Sequence, residues 1–179
     1  MAPRETLRLR QGRQLALEIR SRRFGFAVLD GGRLLDWGVR YYPSGRSRIE
    51  TALKRLAFLL KLYEPSLVIA RGTRRTRDES SRQALHLLAA VRRHLEQRSV
   101  PISIADRCRM REYFARQGIH TKYEIANALA QEFTQLRDLL PRPRKTWEHE
   151  RDLMIVFDAI ATAIAVNGQG NPEPSEPCI

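Results

Sequence analysis

Between residues 14 and 42 short apolar runs alternate so closely with turn signals that a strand meander is the natural solution. Leu15, Ala16, Leu17 and Ile19 form one apolar run around a single acid, Glu18. Ser21, Arg22 and Arg23 turn the chain, and residues 24–30 read as a second strand. Gly31-Gly32 is a two-residue hairpin signal, and residues 33–42 read as a third strand. An acid in the middle of an apolar strand costs several kcal/mol unless it is paired, protonated or bound to metal. Glu18 therefore demands a partner from elsewhere in the chain.

The remainder alternates helices with strands. Ser47 and Glu50 fit a capping box, and Ile49, Leu53, Leu56, Leu60 and Tyr63 fall on one helical face before Pro65. Residues 66–71 are a short apolar run after a helix, which reads as a strand parallel to the first. A polar stretch with Arg74, Arg75, Arg77 and the acids Asp78 and Glu79 leads into a helix expected over 81–98. Residues 100–104 read as a fifth strand, and Asp106 caps a short helix. Thr121 and Glu124 form a second capping-box match, opening a helix expected to reach residue 136. After a Pro-rich basic connection, residues 148–166 form a last helix, apolar over most of its surface and so expected to be buried. Three meandering strands followed by alternating units imply an α/β fold, a mixed five-stranded sheet flanked by helices.

With 179 residues and 42% apolar content, the chain suits one domain with one good core. The boundaries read as a basic N-terminal arm over 1–13, a folded domain over 14–167 and a disordered Pro- and Glu-bearing tail over 168–179. The formal net charge is +12, and the tail holds Glu173 and Glu176 without a cation, so the rest of the chain holds +14. Such a balance favours phosphate polyanions as partners. Cys108 and Cys178 make neither a disulfide framework nor a cysteine zinc site. No apolar run is long enough to span a membrane, and the basic start lacks an apolar signal core, so the expected location is cytoplasmic.

The element order, with an acid in the first strand and another on the last helix, resembles the ribonuclease H fold. More narrowly it is similar to the RuvC family of Holliday-junction resolvases and its bacterial relatives. The resemblance is carried by Leu17-Glu18-Ile19, by Arg23-Phe24-Gly25-Phe26-Ala27-Val28-Leu29 and by Leu34-Leu35-Asp36-Trp37-Gly38-Val39. Further along it is carried by Tyr63-Glu64-Pro65-Ser66-Leu67-Val68-Ile69-Ala70, by Thr121-Lys122-Tyr123-Glu124 and by Phe157-Asp158-Ala159-Ile160-Ala161-Thr162-Ala163. It covers about residues 14–166.

The resemblance implies two-metal cleavage of DNA, with acids from strand one, strand four and the last helix holding Mg²⁺ or Mn²⁺. The strand-one acid, usually Asp, falls on Glu18, and the last-helix acid on Asp158. The strand-four acid, usually Glu, falls on Arg71, and a further acid one turn before Asp158 falls at Ile155. Glu150, on the same helical face as Asp158, and Glu79 are the candidates to replace the missing ligand. Lys122 lies in the family's Thr-Lys segment, which implies a phosphate contact, and Arg74, Arg75 and Arg77 read as a phosphate-tracking loop.

With Arg71 at a ligand position, the expectation is a RuvC-like protein that engages structured or branched DNA through a degenerate metal site. There Arg71 pairs with Glu18 and Asp158 in place of the ions, and no cofactor is needed. One alternative is an active Mg²⁺-dependent crossover-junction endonuclease using Glu18 and Asp158 with a relocated third acid. The other is an assembly module whose basic surface binds an acidic protein. DNA is favoured over RNA as the partner, and a homodimer is compatible with the family.

Overall fold

The structure, a computed structural model, describes residues 12–72, 78–140, 142 and 152–168. Its strands are β1 (Arg13–Ile19), β2 (Arg23–Asp30), β3 (Arg33–Tyr41), β4 (Leu67–Arg71) and β5 (Ile102–Ala105). Its helices are α1 (Arg48–Tyr63), α2 (Glu79–Glu96), α3 (Arg107–Ala115), α4 (Lys122–Glu132) and α5 (Met154–Gly168), with a 3-10 helix over Thr134–Leu139. The strands form one sheet in the order β3-β2-β1-β4-β5. The β1–β2 and β2–β3 pairs are antiparallel, whereas β1–β4 and β4–β5 are parallel. This is the mixed five-stranded sheet expected from the sequence.

Side-chain alternation along the strands divides the core in two. Leu15, Leu17 and Ile19 of β1, with Val68 and Ala70 of β4, pack with Leu56 and Leu59 of α1 and with Leu87, Val91 and Leu95 of α2. Ala16 of β1 and Ile69 of β4 point the other way, towards α3, α4 and α5. Glu18 and Arg71 share the parity of Ala16 and Ile69, so both belong to the α5 face. Every residue from Met154 to Ala165 is buried, which accounts for the apolar character of α5 on all sides.

Two close fits set α5 on the sheet. Gly25 lies opposite Glu18 in the β1–β2 register, and a Cβ there would fall 2.6 Å from the Ile155 carbonyl oxygen. Only glycine lets the first turn of α5 approach β2 so closely. At the other end, Gln14 and Asn167 exchange two amide hydrogen bonds, at 3.1 and 2.8 Å, which satisfies a buried glutamine and fixes the helix along β1.

Several local expectations need correction. Ser47 precedes α1 with helical dihedrals and makes no side-chain cap, because a cap oxygen reaches the helix donors from an extended backbone. Glu50 pairs instead with Lys54 one turn on. The helix α4 stops at Glu132, where Phe133 turns extended and buries its ring, and the chain continues as a 3-10 helix. Asp152 and Leu153 form a turn, so α5 starts at Met154 rather than at 148. Residues 1–11 and 169–179, the bulk of the expected arm and tail, lie outside the described residues.

Candidate functional site

The site lies where β1 and β4 end beside the first turns of α5. Glu18, Arg71 and Asp158 are all buried, with 3%, 8% and 5% of their surfaces exposed. Neighbouring parallel strands bring Glu18 and Arg71 together, since Leu17 is in register with Ala70. Arg71 donates through Nη2 to Glu18 Oε1, and the same nitrogen lies 3.9 Å from Asp158 Oδ2. The helix holds Asp158 in place, and its main-chain oxygen accepts from Thr162 at 2.8 Å.

Two further cations complete the cluster. Arg20, at the end of β1, reaches both acids: its Nε is 2.9 Å from Glu18 Oε1 and its Nη2 is 3.1 Å from Asp158 Oδ2. Lys122, in the first turn of α4, places Nζ 3.0 Å from Asp158 Oδ2. It is held there by the Thr121–Glu124 capping box, which forms as expected. Among the described residues, Arg71, Arg20 and Lys122 thus reach the carboxylates of Glu18 and Asp158. Arg71 lies in the interior, whereas the side chains of Arg20 and Lys122 keep 39% and 35% of their surfaces in solvent.

Burial raises the Glu18 carboxyl above its ordinary range, opposed first by the Arg71 charge; Asp158 pushes it further up and Arg20 pulls it down. Among the described residues, two polar atoms of the cluster, Glu18 Oε2 and Arg71 Nη1, are buried without a hydrogen-bond partner.

Of the residues singled out from sequence, Glu18, Arg71, Asp158 and Lys122 come together. Ile155 stands where the resemblance implied a further acid, and its backbone packs on Gly25. Glu79 does not fold back: it is exposed in the first turn of α2, paired with Arg82 and bonded to Gln83. Glu150, Arg74, Arg75 and Arg77 lie outside the described residues. Among the described residues no group of three or more His, Cys, Asp or Glu side chains is placed to hold a metal.

Arg20 was missed by the sequence reading, although a signal existed. It lies two residues beyond Glu18, and strand alternation returns position 20 to the same face. The run Arg20-Ser21-Arg22-Arg23 reads as a polar turn, which masks that parity. The turn itself is braced. The Tyr42 hydroxyl lies within hydrogen-bond reach of the carbonyls of Arg20 and Arg23, the latter at 2.8 Å, and burial raises its pKa.

A sheet of order 3-2-1-4-5 with its first three strands antiparallel, and a buried helix across its centre, defines a ribonuclease H-like fold. Solved structures to which it is similar include resolvases. One is the Thermus thermophilus RuvC in complex with a Holliday junction substrate, with a TM-score of 0.64 at 17% identity over 86% of this chain and 90% of that one. Another structure of Thermus thermophilus RuvC gives 0.63 at 18% identity, covering 86% of this chain and 92% of that one. The yeast mitochondrial Holliday junction resolvase Ydc2 gives 0.52 at 12% identity, over 88% and 80%. At these identities the likeness is one of fold. No protein-family model and no curated protein matches the sequence.

Proposed function

We propose that the chain is a RuvC-like protein that binds structured or branched DNA and that its metal site is degenerate. The observation that carries this reading is the cation cluster. Where the resemblance calls for acidic ligands and divalent ions, Glu18 and Asp158 are already neutralised by Arg71, Arg20 and Lys122. The donor set does not fit Mg²⁺ or Mn²⁺: two carboxylates remain, and a guanidinium stands between them. A divalent ion ~4 Å from Arg71 would be repelled by roughly 8 kcal/mol at an effective dielectric near 20. DNA as partner is supported by the net charge of +12 and by the fold shared with a junction-bound resolvase.

The test is a four-way junction labelled at one arm, mixed with the full chain in Mg²⁺ and, separately, in EDTA. Equal binding in both buffers and no cleaved product are expected. Magnesium-dependent cutting that disappears in Asp158→Asn overturns the degenerate-site reading. Absence of junction binding at low salt overturns the nucleic-acid reading.

A further inference from the structure

We infer that the outward face of α1, centred on Phe58 and Leu62, docks an acidic amphipathic helix of a protein partner. This helix covers the side of the sheet away from the ion cluster. The inference therefore does not rest on the DNA-binding reading, and a partner seated there leaves the ion-cluster face open.

The inner face of α1 buries Ala52, Leu56, Leu59 and Leu60, which is its share of the core. Phe58 and Leu62 lie beyond it, 61% and 53% exposed. Four residues apart, they are neighbours on one face of the helix. Single apolar residues are common on surfaces, but an adjacent Phe and Leu, each more than half exposed, form a patch. The neighbouring helix shows the ordinary solution: α2 is of similar length, and none of its large apolar residues is exposed. The patch is also held firmly. Arg13 Nη1 donates to the Tyr63 main-chain oxygen at 2.7 Å, and the Tyr63 hydroxyl donates to Asp36, which ties the last turn of α1 to β1 and β3.

Cations border the patch. Lys54 and Arg55 precede Phe58 by one turn, Lys61 follows it by one, and all three are exposed. Lys54 pairs with Glu50 at 2.7 Å, whereas Arg55 and Lys61 make no ion pair among the described residues. Glu64, the next acid along, ends the helix in a left-handed conformation. An aromatic anchor with a charged rim is the anatomy of a protein interface, and its complement is an apolar stripe flanked by carboxylates. A helix supplies that pattern with Leu at i and i+4 and Glu beside them. Other occupants fit less well. A second copy would bring the same cations against each other, and two side chains fall far short of the ~800 Å² per partner of a stable dimer. A bilayer binds surface helices in proportion to the apolar area that enters it, and the other large apolar residues of α1 pack on the core. A single docked helix makes a small contact, so the binding is weak and reversible.

The probe is a synthetic helical peptide with Leu at i, i+3, i+4 and i+7 and Glu at the flanking positions, titrated into the ¹⁵N-labelled full chain. Saturable shifts centred on α1 are expected, with binding weakened roughly tenfold in Phe58→Ser and in Leu62→Ser. Both are surface variants whose thermal midpoints should stay close to the parent. A peptide of the same composition with its Leu stripe scrambled should not bind, and neither should one with Lys in place of Glu. Absence of saturable shifts at millimolar peptide overturns the inference, and so does equal binding of either control. Phe58-dependent self-association, or Phe58-dependent binding to phosphatidylglycerol vesicles without peptide binding, overturns the choice of partner. A parallel junction titration keeps the two readings apart, since both variants should bind the junction as the parent does. Junction binding lost in Phe58→Ser would assign α1 to the DNA and sink the inference. Peptide binding by a parent that ignores the junction would sink only the DNA reading.

Discussion

Replacing Arg71 by methionine removes the buried charge at the centre of the site while keeping most of the side-chain volume. The consequence follows from its partners. Among the described residues, Glu18 would retain only Arg20 as an ion-pair partner, whereas Asp158 would keep Arg20 and Lys122. Breaking a buried pair by removing one member costs about 3–5 kcal/mol, because the other charge is left stranded. The surviving contacts place Arg71→Met at the lower end, about 3 kcal/mol. For a domain of this size that is a fall of roughly 6–12 °C in the thermal midpoint. The loss should depend on pH in a definite direction. Burial already raises the Glu18 pKa above its unfolded value, and removing Arg71, the main opposing charge, raises it further. A group of this kind is least destabilising below its unfolded pKa, and its penalty grows as pH rises through the folded value. The difference in midpoint between parent and Arg71→Met should therefore be largest near neutral pH and shrink on acidification towards the ordinary glutamate range. Calorimetric scans of both proteins across that interval measure it. A difference that stays constant or widens on acidification refutes the ion-pair assignment, and so does an unchanged midpoint at neutral pH.

Other substitutions probe the parts that hold the cluster in place. Gly25→Ala forces a Cβ against the backbone of α5, so it should cost about 3 kcal/mol, the upper range for overpacking, read as a lowered urea midpoint. Tyr42→Phe removes the hydroxyl brace of the β1–β2 turn and should cost about 1 kcal/mol in the same assay. Restoring the resolvase residue types with Glu18→Asp and Arg71→Glu should not by itself create a metal site, because Arg20 and Lys122 still engage Asp158. Titration calorimetry should detect Mn²⁺ binding only after Arg20→Ala is added, and tight binding by the double variant alone would show that Arg20 is not an obstacle.

How far the site could be read from sequence differs residue by residue, and the differences have physical reasons. Glu18 stands out because a lone acid in an apolar strand has no bland explanation, and Asp158 because it interrupts an apolar helix. Arg71 follows from position, at the end of the strand parallel to β1. These are long-period patterns, and the core enforces them. Arg20 and the end of α4 depend on local backbone direction at element termini, where one or two residues decide which way a side chain points. The Ser47 cap fails for the same reason: residue types fit, but the dihedrals at Ser47 do not. The Thr121 cap succeeds because Thr121 is extended there, and it carries Lys122 into the site. The amide exchange between Gln14 and Asn167 spans 153 residues and leaves no local trace.

The central claim is that organic cations stand where the family resemblance implies divalent ions. A crystal of the protein soaked in Mn²⁺ and measured for anomalous scattering tests it most directly. The predicted result is no anomalous peak between Glu18 and Asp158, with the Arg71 guanidinium in contact with Glu18. A manganese ion bound to both carboxylates at about 2.1–2.2 Å, with Arg71 displaced from between them, would contradict it.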